Sequence, residues 1–118
     1  MTTNLKTAVE KSSYFPIAAF SDEDDAPEDV KTLTWTLTDI FGNIINGRDA
    51  VVVANPSSTE TIVLSDGDLA VFGDNDRLKR LITFEATYDS DLGNDLPLKG
   101  VGEFTIIPLV AIPNEEAL

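Results

Sequence analysis

The chain has 118 residues, which suffices for one domain that buries a hydrophobic core of its own. It contains neither cysteine nor histidine, which excludes disulfides, zinc–thiolate sites and the histidine-assisted nucleophiles of many hydrolases. Its 21 acidic and 8 basic residues give a formal net charge of -13, and such a charge repels nucleic acid phosphates and anionic membranes. We therefore expect no nucleic acid and no membrane among its partners.

The first quarter of the sequence predicts an arm, a strand and an acidic loop. Residues 1–12 show only a weak pattern, and we expect them to form an N-terminal arm. Residues 13–20 are apolar enough for a strand, but Pro16 cannot donate to a ladder and indicates a sheet edge or an interruption. Residues 22–29 are mostly acidic, which predicts an exposed loop.

The clearest strand pattern lies in residues 32–38. Leu33, Trp35 and Leu37 alternate with threonines, so one face is apolar and the other carries hydroxyl groups. The threonine face is either a flat surface for another chain or a sugar, or an ordinary solvated face. A Gly-Asn pair at 42–43 then predicts a tight turn, because both residue types tolerate positive φ.

The middle of the chain predicts short strands between further turns. An Asn-Gly pair at 46–47 predicts a second turn. Residues 50–54 and 59–64 predict two strands, because a strong loop signal separates two apolar runs. Residues 65–70 predict one helical turn, which Ser65 is suited to cap.

The last third predicts two longer strands and a tail. Residues 77–88 alternate apolar and polar side chains over the longest such run in the chain. Residues 89–95 are rich in Asp, Asn and Gly and predict a polar loop. Residues 101–107 predict the closing strand, and residues 108–118 predict an extended C-terminal tail.

These elements favour an all-β fold of about seven to eight short antiparallel strands. Their spacing is typical of a single immunoglobulin-like β-sandwich, which we place over residues 13–107. A closed barrel is the alternative, but it fits short and unevenly spaced strands less well. Parallel α/β folds are excluded because no crossover helix is predicted.

Calcium is the one ion for which the sequence offers candidate ligands. Asp89, Asp91 and Asp95 place carboxylates near a turn-forming Gly93, and calcium prefers six to eight oxygen ligands in such loops. The alternative interpretation is that Asp, Asn and Gly are simply turn formers. No other cofactor is predicted. No two carboxylates are predicted to face each other across a cleft, so we expect the protein not to be an enzyme.

Apolar residues near both termini are candidates for contact with a partner protein. Terminal arms commonly add a strand to an exposed sheet edge or dock onto a larger assembly. The candidates are Leu5, Val9, Tyr14, Phe15, Leu109, Val110 and Ile112.

Three motifs of the sequence occur together: the strand motif Trp-Thr-Leu-Thr-Asp with its flanks, the glycine turn after it and the long later strand. With the segments before them they comprise residues 13–15, 20–24, 33–39, 42–46 and 81–93. Over about residues 13–107 this pattern resembles small immunoglobulin-like structural proteins of tailed bacteriophage particles. The resemblance implies a virion component without enzymatic activity, either a capsid decoration or a part of the neck or tail. Its partners would be other virion proteins, contacted in multiple symmetric copies.

The resemblance also implies assembly in the host cytoplasm and localisation in the virion. The N-terminal residues contain no apolar segment of the kind found in secretory signals, which agrees with that expectation. The alternative is an immunoglobulin-like adhesive module of a bacterial surface protein that binds calcium or carbohydrate. Similar strands and glycine turns occur in such modules, so the motifs specify the fold better than the role.

Overall fold

The computed structural model describes residues 7–21, 29–72 and 78–109, together with the backbone of residues 2–4. Within these ranges the chain forms ten strands and one turn of 3₁₀ helix. The strands are β1 (Thr2–Asn4), β2 (Ala8–Val9), β3 (Ser13–Tyr14), β4 (Ile17–Ala19), β5 (Thr32–Thr38), β6 (Val51–Val52), β7 (Thr59–Thr61), β8 (Leu64–Ser65), β9 (Lys79–Ser90) and β10 (Gly93–Ile107), and the 3₁₀ helix spans Asp66–Leu69.

One sheet contains six of these strands. Its order is β1–β10–β9–β5–β6, and β2 also pairs with β10. β10, β9, β5 and β6 are antiparallel neighbours, whereas β1 and β2 run parallel to β10. β1 lies beside residues 101–103, and β2 lies beside Ile106 and Ile107. The arm predicted over residues 1–12 thus contributes two strands, because the free edge of β10 offers backbone donors and acceptors to an extended chain.

The remaining four strands pair two by two, β3 with β8 and β4 with β7. Both pairs are antiparallel and share one register, so together they form a continuous two-stranded ribbon that is interrupted at Pro16. The Ile62 amide donates to the Pro16 carbonyl over 2.8 Å, and the Phe20 amide donates to the Ser58 carbonyl over 2.8 Å. Proline has no N–H, so Pro16 interrupts the strand as the sequence predicts.

The ribbon packs against one face of the six-stranded sheet, and the core lies between the two layers. Ring contacts join them, with Tyr14 and Phe104 centroids 4.9 Å apart and Phe20 and Phe84 centroids 6.5 Å apart. The all-β fold is confirmed, while an immunoglobulin-like connectivity stays a prediction. The buried apolar residues include Leu33, Trp35 and Leu37 as their alternation predicts, Ala18, Ile62 and Leu64 in the ribbon, and Ile82, Ala86 and Ile106 in the sheet.

The two predicted turns are present where the glycines lie. Gly42 has a φ of 88°, and Asn46 and Gly47 have φ values of 53° and 67°. Positive φ at both residues of an Asn-Gly pair is the geometry that reverses a chain tightly. These turns return the chain from β5 towards β6, so the second strand of that pair lies beside the first.

The hairpin of β9 and β10 differs most from the sequence prediction. Residues 89–95, predicted as a loop, belong mostly to the two strands, and β10 begins eight residues before the predicted start at 101. Pro97 pairs with Thr87, whose carbonyl accepts the Lys31 amide on the opposite side of β9. The nitrogen of Pro97 therefore points away from β9, so a proline there costs no ladder hydrogen bond.

Candidate functional site

The three predicted calcium ligands lie at the tip of the β9–β10 hairpin. The Lys31 ammonium contacts the Asp89 carboxylate at 3.2 Å and the Asp95 carboxylate at 2.5 Å. The Asp95 amide also donates to Asp89 over 2.9 Å, and Asp91 is exposed in the turn itself. Within the described ranges, no three acidic side chains converge in a way that could hold a metal ion. Calcium binding at this tip stays a prediction, and it requires the ion to displace Lys31.

The electrostatics of the tip follow from the same contacts. The backbone hydrogen bond from Asp95, followed by the contact with Lys31, lowers the pKa of Asp89. The hydrogen bonds to Asp95 and then Asp89 raise the pKa of Lys31. Each charge therefore stabilises the other, and the ammonium takes the place that a cation would need.

The predicted partner-contact residues lie on two surfaces of the molecule. Val9 and Ile107 are register neighbours on the outer face of the six-stranded sheet, and both are exposed. Phe15 lies on the outer face of the ribbon. Tyr14 is half-buried against the core, where burial raises the pKa of its hydroxyl. Exposed Leu109 follows β10, while Leu5, Val110 and Ile112 lie outside the described residues.

The outer face of the ribbon exposes three large apolar side chains. Phe15, Ile17 and Val63 expose 57%, 63% and 60% of their surface. The common register of the ribbon places Phe15 opposite Val63 and Ile17 opposite Thr61. Three large apolar side chains therefore form one patch, which we call the ribbon face. Ile17 and Val63 were not predicted as contact residues, although each alternates with a buried neighbour, Ala18 or Ile62, as exposed strand residues do.

A second exposed aromatic residue lies in the turn after β5. Phe41 exposes 70% of its surface, and the neighbouring Ile40 is also exposed. The Asp39 carboxylate fixes this turn by accepting the Phe41 amide over 2.8 Å and the Asn43 amide over 3.0 Å. Burial would raise the pKa of Asp39, but these hydrogen bonds outweigh it and lower the pKa.

A buried carboxylate holds the end of β10. The Glu10 amide donates to the Ile107 carbonyl over 2.9 Å, and Glu10 Oε1 accepts the Leu109 amide over 2.8 Å. The second oxygen, Oε2, is buried and has no hydrogen-bond partner among the described residues. Glu10 thus forms hydrogen bonds with the residues on both sides of Pro108, which has no N–H of its own to donate. These bonds keep Leu109 beside the N-terminal strands.

A second buried carboxylate joins the two layers. Asp68 is fully buried and accepts hydrogen bonds from Arg48 Nε at 2.8 Å, Asn46 Nδ2 at 2.9 Å and the Ser65 amide at 3.1 Å. Burial would raise the pKa of Asp68, but the hydrogen bonds outweigh it, so the pKa lies below its ordinary value. Both oxygens already accept donors from the protein, so Asp68 has a structural role.

An apolar groove lies between β4 and β10 at the edge of the two layers. It has a volume of about 390 Å³, and Phe84 is one of its lining residues. Glycines occupy two successive inward positions of β10, Gly100 and Gly102, and a Cβ built at Gly100 would meet no atom within 4 Å. The missing side chain at Gly100 therefore leaves part of the groove open. The other lining residues are Pro16, Ile17, Ala18, Ala19, Phe20 and Ser21 on one side, and Leu98, Lys99 and Val101 on the other.

Comparison with known proteins gave no significant match to a family model, to a curated protein or to a solved structure. In the described ranges, no helix has the length and apolar character needed to cross a membrane.

Proposed function

We propose that the protein is a non-enzymatic structural component that attaches to a larger protein assembly through its apolar surfaces. The observation that supports this most directly is the ribbon face. Phe15, Ile17 and Val63 are each more than half exposed and lie side by side on a regular strand ladder. Contiguous apolar patches of this kind on small soluble domains commonly mark protein contacts.

The ribbon gives this patch a defined shape. The backbone hydrogen bonds of the ribbon run from Ser12 and Asp66 at one end to Phe20 and Ser58 at the other. The opposite side of the ribbon is anchored in the core through Ile62 and Leu64. A partner therefore meets side chains whose backbone is already ordered, which lowers the entropy cost of binding.

The setting that the sequence resemblance favours is the particle of a tailed bacteriophage, as a capsid decoration or a part of the neck or tail. Many weak contacts suffice there, because a particle offers the same site in many symmetric copies. The high negative charge keeps a small domain soluble before it assembles. This setting is part of the proposal and rests on the resemblance alone.

The test is gradient sedimentation of a lysate from the native source, followed by detection of this chain and of the major shell protein. We expect the two to sediment together in a fixed ratio. Detection of the chain only at the top of the gradient contradicts the virion proposal.

Variants of the ribbon face test how the chain attaches. Ile17→Thr and Val63→Thr keep β-branched side chains but reduce the apolar area, so we expect each to weaken co-sedimentation about tenfold. Val52→Thr is the matched control, since Val52 is an even more exposed β-branched residue and lies on β6, in the other layer. Equal losses in the control and in the ribbon variants contradict a role for the ribbon face.

A further inference from the structure

The edge of β10 beside the groove carries backbone groups that no described strand pairs with. The Glu10 amide binds the Ile107 carbonyl on this side of β10, and backbone groups of a strand alternate in direction. Lys99 and Ile107 are an even number of residues apart on β10, so the N–H and C=O of Lys99 point towards the same edge of the strand as the carbonyl of Ile107. The described pairing of β1 stops at Val101, which leaves Lys99 beyond its end.

A strand that pairs with β10 at Lys99 would find open space for its side chains. A strand continuing the line of β1 would point every second side chain between the layers. The inward positions of β10 there are Gly100 and Gly102, and the space above Gly100 is open for at least 4 Å. Phe84 and Phe20 would form the apolar surface that such side chains contact.

The charge around the groove indicates the kind of strand. Asp29 lies close to the Phe20 end, because its carboxylate accepts the Ser58 amide over 3.0 Å and Ser58 accepts the Phe20 amide. Over the whole sequence the formal net charge is -13. A strand with basic residues is attracted to a chain of this charge, whereas a second copy of the same chain is repelled.

We propose that the groove between β4 and β10 receives an extended, basic strand of a partner protein, which pairs with the Lys99 edge of β10. Its inward side chains, apolar and β-branched, occupy the open space at Gly100. The proposal rests on the proposed role in protein attachment and adds the form of the contact. A small apolar ligand is the weaker choice, because the groove is open to solvent and would leave much of the surface of such a ligand in contact with water.

The test uses the full chain and a synthetic peptide of about eight alternating valine and lysine residues. Amide hydrogen exchange is followed by NMR with and without the peptide. We expect the Lys99 amide to become protected, and the rings of Phe20 and Phe84 to shift. A peptide with glutamate in place of lysine is the control, and its affinity should be lower by a factor of about ten or more.

Two variants test the two parts of the proposed site, the open space at Gly100 and the backbone edge at Lys99. Gly100→Val fills the space with the chain's own side chain; since nothing clashes there and valine favours strands, we expect the melting temperature to stay equal or rise while peptide protection is lost. Lys99→Pro removes the edge N–H at a position equivalent to Pro97 and should abolish pairing, which is measured as loss of the peptide-induced shifts of the Phe20 and Phe84 rings. Thr105→Val, on the outer face of β10, is the control that leaves protection unchanged.

An unprotected Lys99 amide at saturating peptide overturns the proposal. Ring shifts without amide protection also overturn it, because they indicate a site for apolar compounds in place of a strand. The peptide experiment contains no particle, so its failure is distinct from failure of the sedimentation test. If the chain binds the peptide but never sediments with particles, strand binding in the groove is supported and the virion role is contradicted.

Discussion

The outer face of β5 and β9 and the ribbon face are built on the same alternation and have opposite characters. On the six-stranded sheet, the threonines of β5 and β9 face outward, and they satisfy each other and the backbone: Thr32 and Thr87 hydroxyls lie 2.7 Å apart, and Thr36 accepts the Ala50 amide over 3.0 Å. The ribbon face instead exposes Phe15, Ile17 and Val63. A face of satisfied hydroxyl groups is stable in water, whereas an apolar face gains free energy when a partner covers it.

The largest expected effect separates the two sides of the ribbon. Ile62 is buried and Val63, its neighbour, is exposed. Ile62→Ala should lower the free energy of unfolding by about 2–5 kcal/mol because it leaves a cavity between the layers. Val63→Ala should change it by less than about 0.5 kcal/mol. Denaturant unfolding measures both, and similar losses in the two variants would show that the ribbon face is packed in the isolated chain.

The next effect concerns the join between the layers. Asp68→Asn removes a charge that accepts hydrogen bonds from three residues and should cost about 1–3 kcal/mol of unfolding free energy at neutral pH. The pKa of the Asp68 carboxyl group is lower in the folded chain than in the unfolded one. The stabilisation by Asp68 is therefore present above the unfolded pKa of about 3.9 and is lost as pH falls through the folded pKa.

Thermal melts across that acidic range measure the contribution of Asp68. The wild-type melting temperature should fall more steeply with acidification than that of Asp68→Asn, because the variant has no proton to take up at this position. Parallel pH profiles for the two proteins would mean that Asp68 is not the group responsible. Asp39 and Asp89, whose pKa values are also lowered, contribute equally to both profiles.

A smaller effect compares hydroxyl groups on the two faces. Thr36→Val removes the acceptor of the Ala50 amide and should cost about 0.5–1 kcal/mol. Ile17→Thr adds a hydroxyl to the ribbon face, where water already contacts the side chain, and should stay within about 0.5 kcal/mol of wild type. Chemical denaturation of both variants tests this, and a large loss for Ile17→Thr would contradict the exposure of that face.

The smallest expected effect is that of calcium at the hairpin tip. Lys31 lies between Asp89 and Asp95, so calcium should leave the wild-type melting temperature nearly unchanged relative to chelator. Lys31→Gln removes the competing cation, and calcium should then raise the melting temperature measurably by mass action. A clear rise in the wild-type protein would confirm the predicted calcium site instead, and no rise in either protein would contradict it.

The sequence was most informative where the relevant neighbours are close along the chain. The alternation around Trp35, the interruption at Pro16 and the turn at residues 46–47 were all predicted and are present. The start of β10 was missed, since the tolerance of Pro97 depends on which way its nitrogen points in the sheet. The partner candidates were split between two surfaces because strand pairing, which sequence spacing does not reveal, assigns Val9 and Phe15 to different layers.

The sequence by itself determined that this is an acidic all-β chain without thiol or imidazole chemistry, and it determined which side of β5 faces the core. These properties follow from composition and from the two-residue period of a strand, both of which are local. Only the tertiary structure decided that Gly100 faces Ala18 and Phe20 across an open groove, and that Lys31 lies between Asp89 and Asp95. Residues so distant in sequence meet through strand register, and register is selected by burial of the whole core.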